Sequence, residues 1–387
     1  MDAIDVLIKY WGHTQFRLKQ QEIIKQVIDK KDTLALLPTG GGKSICYQVP
    51  ALMQEGICLV ISPLIALMDD QVRFLKSKGI KSIAITSGMH YNEIDTALTN
   101  CIYGGVKFLY LSPERLQNEL VQTRIKEMNI NLITVDEAHC ISEWGHNFRP
   151  AYRHISEIRE IIPDTPVLAL SATATSSVID DIQNNLNFKE PNLIQSSFTR
   201  ENLSYVVDNV EDKKLRLLKL VDKIKSSVII YVGSRKAAKE ITNFLLNNNY
   251  SANYYHGGLA AKVRTERQES WTQNQTRIMV ATNAFGMGID KPDVKLVVHL
   301  ELPSTIEAYF QEAGRAGRDG KQAYAFLLAN KGDVKKQQDL LTLRYPSISE
   351  IKTVYQSLAN YFQLAENELP EQAISFDMID FTERYNM

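Results

Sequence analysis

The sequence predicts an α/β protein of two tandem parallel-sheet domains followed by a partial helical extension. Three observations lead there. Short apolar runs recur without polar alternation. Each is followed by a longer stretch of mixed polarity. The series is interrupted once by a polar gap. Apolar runs of about four to eight residues suit strands covered on both faces, and strand–helix alternation builds a parallel sheet.

The first series occupies residues 33–37, 57–61, 82–86, 107–111, 132–135 and 167–170. The gap, residues 198–216, holds Arg200-Glu201-Asn202 and Glu211-Asp212-Lys213-Lys214 and reads as a linker between domains. The second series occupies residues 228–232, 278–281, 294–300 and 324–328. Beyond Asp333 the pattern turns helical, first over 335–343. It continues over 347–364, where Ile351, Val354, Tyr355, Leu358 and Phe362 form one apolar stripe. The expected domains are therefore 1–200, 201–340 and an accessory segment, 341–387.

Composition narrows the class. A chain of 387 residues with 44% apolar and 23% charged residues is an ordinary globular protein. No apolar run approaches the roughly 18 residues that span a bilayer. The start, Met1-Asp2-Ala3-Ile4-Asp5, lacks the features of a signal peptide, so a cytoplasmic location without membrane contact is expected. Cys46, Cys58, Cys101 and Cys140 are widely spaced. They are expected as buried reduced thiols, against a disulfide or metal site. The net charge of −1 shows no basic excess, so any contact with nucleic-acid phosphates must come from a local surface.

Chemistry is concentrated in three places. Leu37-Pro38-Thr39-Gly40-Gly41-Gly42-Lys43-Ser44 lies between a strand and a helical pattern. Glycines let backbone N–H groups wrap a polyphosphate, and the helix N-terminus adds positive partial charge. Lys43 is expected on the β- and γ-phosphates of ATP and Ser44 on Mg²⁺. Taken alone the stretch could be a glycine-rich turn. Pro50 falls in the following helical pattern and should kink or end it. Val135-Asp136-Glu137-Ala138-His139 ends an apolar strand. Asp136 can hold Mg²⁺ through its water shell, and Glu137 can take a proton from the attacking water. Adjacent carboxylates alone are more often a solvated turn; the upstream Lys43 reverses those odds. In Gln311-Glu312-Ala313-Gly314-Arg315-Ala316-Gly317-Arg318-Asp319-Gly320, two arginines three apart are expected on one helical face. They would act as arginine fingers, or form an exposed basic helix end.

These motifs, in this order, resemble a superfamily 2 helicase with two RecA-like domains, and their details resemble the RecQ family of DNA helicases. The resemblance covers roughly residues 4–330. It implies that Arg17 and Gln20, beside Phe16, recognise adenine, with His13 where the family often has an aromatic. Ser62-Pro63-Leu64 and Ser112-Pro113-Glu114-Arg115 resemble strand-tracking motifs, which implicates Ser62 and Arg115. Ser171-Ala172-Thr173 resembles the element coupling hydrolysis to domain movement. The most diagnostic stretch runs from Cys140 to Pro150 and resembles the RecQ aromatic-rich loop. Trp144, His146 and Phe148 offer faces for base stacking at about 1–3 kcal/mol per base. Arg149 adds charge, and His139 counts with them among the DNA-binding or coupling residues that the resemblance implies. In the second domain the resemblance places Thr282 on a DNA phosphate and Gly288 and Asp290 near the nucleotide.

The resulting expectation is a monomeric, ATP- and Mg²⁺-dependent 3′-to-5′ helicase or translocase on single-stranded or 3′-tailed DNA, serving repair or recombination. The polarity is implied by the resemblance alone. Three rivals remain: an RNA helicase on the same core, a strand-annealing factor with weak motor activity, and a small-molecule kinase. The family commonly carries a four-cysteine zinc module after the second domain. Here no cysteine follows Cys140 and no histidine follows His299, so no zinc is expected. The helix over 347–364 is instead expected to pack on the second domain. The chain stops at Met387 without a visible domain end, as in a truncated or shortened relative. Weak, salt-sensitive DNA binding and poor unwinding of long duplexes are expected with it.

Overall fold

The structure, a computed structural model, describes residues 2–86, 88–144, 148–286, 291–365 and 372–386. They form two compact units, Met1–Ala329 and Asn330–Met387. The first unit contains two parallel sheets. Strands β1 (Thr33–Leu36), β2 (Ile57–Ile61), β3 (Ser82–Ile85), β4 (Phe108–Leu111), β5 (Ile130–Val135), β6 (Val167–Ser171) and β7 (Leu193–Gln195) lie in the order β3-β4-β2-β5-β6-β1-β7. Strands β8 (Leu203–Asn209), β9 (Ser227–Tyr231), β10 (Ala252–Tyr255), β11 (Ile278–Ala281), β12 (Val294–His299) and β13 (Ala323–Ala329) follow in the order β10-β11-β9-β12-β13-β8.

Alternate residues of a strand face opposite sides, and here both sides are covered. Leu34, Leu36, Leu59, Ile133 and Ala169 enter one apolar layer of the first sheet. Ala35, Leu37, Cys58, Val60, Leu132 and Leu168 enter the other. That is why the sequence shows unbroken apolar runs and no alternation. The four cysteines are free and buried, and burial pushes each thiol up to about 12. Buried Asp32, just before β1, accepts from Arg159 at 2.5 Å, from the Val167 N–H at 3.0 Å and from the Lys189 N–H at 2.9 Å. A buried carboxylate with three donors is stable where a bare one is not. It ties the N-terminal ends of β1 and β6, so the opposite ends are left for loops that carry function.

The polar gap is only partly a linker. Leu203–Asn209 is strand β8, paired with β13 from Leu203↔Ala323 to Asn209↔Ala329. It is an edge strand whose Tyr205 and Val207 are exposed. Partial solvation lets Ser204, Asp208 and Asn209 into the strand, and that polarity concealed it. Asp212 then caps the helix Lys213–Lys223. The connector shrinks to residues 196–202.

The helix Ile45–Met53 contains Pro50 and stops three residues after it. The second unit holds the helices Lys331–Arg344, Ile348–Tyr361 and Met378–Tyr385. Capping boxes, Asn330 with Asp333 and Ser347 with Glu350, start the first two. The third, unpredicted, buries Phe381 against Tyr361, Phe376 and Tyr385, with ring centroids 5.2–5.7 Å apart. Among the described residues no helix is long and apolar enough to cross a membrane.

Candidate active site

In the first sheet β2, β5, β6 and β1 are consecutive neighbours. Their C-terminal ends therefore bring together loops that lie far apart in sequence, the usual ligand position in an open parallel sheet. The loop after β1 is pinned to the end of β6 by the Leu37 N–H, which donates to Ser171 O at 3.1 Å. The Asp136 N–H donates to Ile61 O at 2.9 Å, pinning the end of β5 to β2.

The glycine loop is braced from outside. Gln20 Nε2 donates to Gly41 O and Gly42 O, both at 3.1 Å, and its Oε1 accepts from the Arg17 N–H at 2.9 Å. Gln20 is buried and opens the helix Gln20–Ile28, whereas His13 and Arg17 are exposed just ahead of it. One end of the Gln20 carboxamide thus braces the loop and the other fixes the segment ahead of its own helix. Gly40 has φ +81°, where a side chain is strained. The Thr39 hydroxyl is buried without a protein partner, an orphan that a phosphate oxygen would satisfy. Ser44 stands at the N-cap position of the helix Ile45–Met53 with no capping bond from its side chain, so the Lys43 and Ser44 backbone lies at a helix N-terminus suited to anions.

The carboxylates face this loop. Glu137 has φ 49° and ψ 47°, a left-handed conformation costing about 1–2 kcal/mol for a residue with a side chain. Strain held in place points to a positional requirement. Here it sets Glu137 Oε2 3.8 Å from Lys43 Nζ. Burial and the adjacent Glu137 raise the Asp136 carboxyl to about 6, with Lys43 opposing them. Such a pair is electrostatically short of positive charge, and a divalent cation would restore the carboxylate. Asp136 and the Ser44 hydroxyl are a donor set that fits Mg²⁺. Among the described residues no group of three or more His, Cys, Asp or Glu could hold a metal.

Behind Glu137 runs a buried relay. Ser171 Oγ donates to Thr173 O at 2.9 Å, so its one proton is used. His139 Nδ1, 3.0 Å from that oxygen and 3.5 Å from Glu137 Oε2, is therefore the donor. His139 and Ser171 are buried and so cannot touch a strand of DNA; they connect β6 to the carboxylate. Tyr152, absent from the sequence reading, donates from its hydroxyl to Asp136 O at 2.8 Å. The Thr173 and Ser62 hydroxyls are buried and unpartnered.

Trp144 is 78% exposed. Arg153 lies over the Phe148 ring at 5.1 Å. Arg149 donates to Pro63 O at 2.9 Å, tying the loop to the segment after β2, and Arg115 donates to Thr86 O at 2.8 Å. The Thr282 N–H, just past β11, donates to Tyr255 O at 3.2 Å. His146, Gly288 and Asp290 lie outside the described residues.

The two arginines do not share a helical face. The helix Ile306–Ala313 ends at Gly314, and Gly317 turns the chain with φ +68°. Glycines on either side of Arg315 break the helical period on which the expectation rested. Arg315 is buried and donates to Gly286 O. It also lies against the Tyr231 hydroxyl, which donates to Phe285 O at 2.8 Å. Arg318 instead reaches the glycine loop: its Cγ lies 3.1 Å from where a Gly40 Cβ would stand. The second sheet thereby contributes a cation to the loop after β1.

A DEAD/DEAH box helicase family model matches residues 17–182, and a helicase conserved C-terminal domain model matches residues 212–320. The chain is 40% identical over 374 residues to "Probable ATP-dependent DNA helicase RecS" of Bacillus subtilis, covering 96% of this chain and 75% of that protein. It is 43% identical over 342 residues to the ATP-dependent DNA helicase RecQ of the same organism, covering 88% and 58%. The chain thus spans little more than half of that RecQ protein. Among solved structures, Saccharomyces cerevisiae Dbp5 bound to RNA and ADP BeF3 superposes with a TM-score of 0.65 at 17% identity, covering 90% of this chain and 92% of that one. Mycobacterium smegmatis helicase Lhr, bound to ssDNA and AMP-PNP, superposes with a TM-score of 0.67 at 19% identity, covering 88% and 51%. These two likenesses concern the fold.

Proposed function

Because the chain belongs to the RecQ family of ATP-dependent DNA helicases, we propose that it couples ATP hydrolysis to 3′-to-5′ movement along single-stranded DNA, in repair or recombination. One observation supports this above the others. Glu137, which faces Lys43, and His139 lie on the segment that runs straight into the loop that exposes Trp144, while His139 also ties that segment to Ser171 on β6. A strand stacking on that loop can shift the carboxylate that orients water.

In this reading the residues divide the work. The glycine loop and Lys43 bind the phosphates. Glu137 orients and deprotonates the attacking water, and Arg315 and Arg318 balance charge developing on the transferred phosphoryl group. Ser44 and Asp136 would hold Mg²⁺, which when bound would neutralise phosphate charge. His13, Arg17 and Gln20 take the adenine side, with Gly288 and Asp290 near the nucleotide. Ser62, Arg115, His146, Phe148, Arg149, Thr173 and Thr282 follow the strand or transmit its binding.

The test is ATP hydrolysis with no nucleic acid, with single-stranded DNA and with RNA, beside unwinding of 3′- and 5′-tailed duplexes. DNA stimulation and preference for the 3′ tail are expected; stimulation by RNA alone would replace this reading with an RNA helicase. Trp144→Ala and Arg149→Ala are expected to bind ATP normally but to lose most of the DNA response. Wild-type stimulation and unwinding in both variants would remove the loop from the coupling path.

A further inference from the structure

Arg200 and Asn202 sit in the connector between the two sheets, yet their side chains are committed to a turn more than a hundred residues away. Arg200 donates to Gly314 O at 2.8 Å and to Gly317 O at 2.6 Å. Asn202 Nδ2 donates to the same Gly317 O at 2.7 Å and to Lys321 O at 3.0 Å. The backbone joins in: the Ala323 N–H donates to Asn202 O at 2.8 Å. The fit is tight, since a Cβ at Gly317 would stand 2.6 Å from Asn202 Nδ2 and 2.9 Å from Ala323 Cβ. The two carbonyls gripped by Arg200 bracket Arg315, and Arg318 follows the second of them.

The other end of the connector is anchored as well. Phe198 packs against the apolar core of the first sheet, and its ring meets that of Phe310 at 5.8 Å. Phe310 lies on the helix that leads into the arginine turn. One short segment therefore touches the core beneath the nucleotide loop and the turn that supplies the opposing arginines.

We propose that Arg200 and Asn202 are positioning residues for Arg315 and Arg318. A guanidinium spans two carbonyls with a rigid fork, which a lysine ammonium cannot reproduce. By holding Gly314 and Gly317 at fixed separation, Arg200 sets where the two arginine side chains emerge. Because it is part of the connector, that position follows any movement between the sheets. This rests on the reading of Arg315 and Arg318 as the arginines that complete the ATP site.

The experiment compares the wild-type chain with Arg200→Ala, Arg200→Lys and Asn202→Ala, each alone and combined with Arg318→Ala. The kcat and KM for ATP are measured at saturating single-stranded DNA, together with the melting temperature. Misplacement of catalytic groups by about 1 Å costs on the order of 10²-fold. Arg200→Ala should approach that loss in kcat at an unchanged KM, and Arg200→Lys should fall nearly as far. Asn202→Ala should lose less. In the Arg318→Ala background the Arg200 substitutions should lose less than they do alone, because one of the two groups they position has been removed. Wild-type kcat in both Arg200 variants overturns the proposal. So does a loss that multiplies fully with that of Arg318→Ala, or unfolding of both Arg200 variants, since either outcome marks a purely structural role. A wild-type chain with no DNA-stimulated hydrolysis overturns the helicase reading itself.

Discussion

Glu137→Gln leaves a chain that binds ATP and scarcely hydrolyses it. The amide keeps the size of the carboxylate but cannot accept the proton of the attacking water. Loss of a general base of this kind slows turnover by about 10²–10⁴-fold. Binding survives because Lys43 and the glycine loop, which hold the phosphates, are untouched. Lys43→Ala is the contrast. It removes the cation 3.8 Å from Glu137 Oε2 and the charge that would meet the phosphates, so affinity and turnover fall together. Titration with a fluorescent ATP analogue, followed by single-turnover hydrolysis, separates the two. Hydrolysis at the wild-type rate by the Glu137→Gln chain would end the assignment of Glu137 as the base.

Arg318→Ala is expected to cut DNA-stimulated hydrolysis by about 10³–10⁵-fold, the usual worth of an arginine finger, with little change in melting temperature. Its side chain reaches the glycine loop at Gly40, outside the apolar core. Arg315→Ala differs in kind. Arg315 is 5% exposed and donates to Gly286 O, so its removal strands a buried acceptor at a cost of about 1–3 kcal/mol. That variant should lose stability as well as turnover. Thermal melts beside kcat for both variants check the distinction; equal melting temperatures would mean that Arg315 does not brace the second sheet.

The sheets were legible because their central strands are apolar on both sides. Ala35 and Leu36 point into different layers, and both layers are oil. Edges were harder. β7 has three residues, only Ile194 of them buried, and β10 and β8 are partly solvated, so neither pattern nor length separated them from loops. Lys43, Asp136 and Glu137 stood out in the sequence because they occur in motifs whose chemistry is local, and the fold brings Lys43 within 3.8 Å of Glu137. What could not be read was any geometry set by partners distant in sequence. Arg200 meets Gly314 and Gly317 across separations of 114 and 117 residues, and in the sequence it was one charge among several in a polar gap. The shared face expected for Arg315 and Arg318 failed for a local reason that was in view: Gly314 and Gly317 can stop a helix as readily as they can line one.

The cysteines have a practical consequence. Maleimides and similar reagents attack a thiolate that solvent can reach. All four sulfurs here are buried, and burial holds each thiol near 12. The native chain is therefore silent to such dyes while folded. A cysteine introduced at an exposed position beside each sheet would be labelled against no background. A fluorophore pair at those two positions could then follow the separation of the sheets through a single ATP cycle, with every native sulfur left in place.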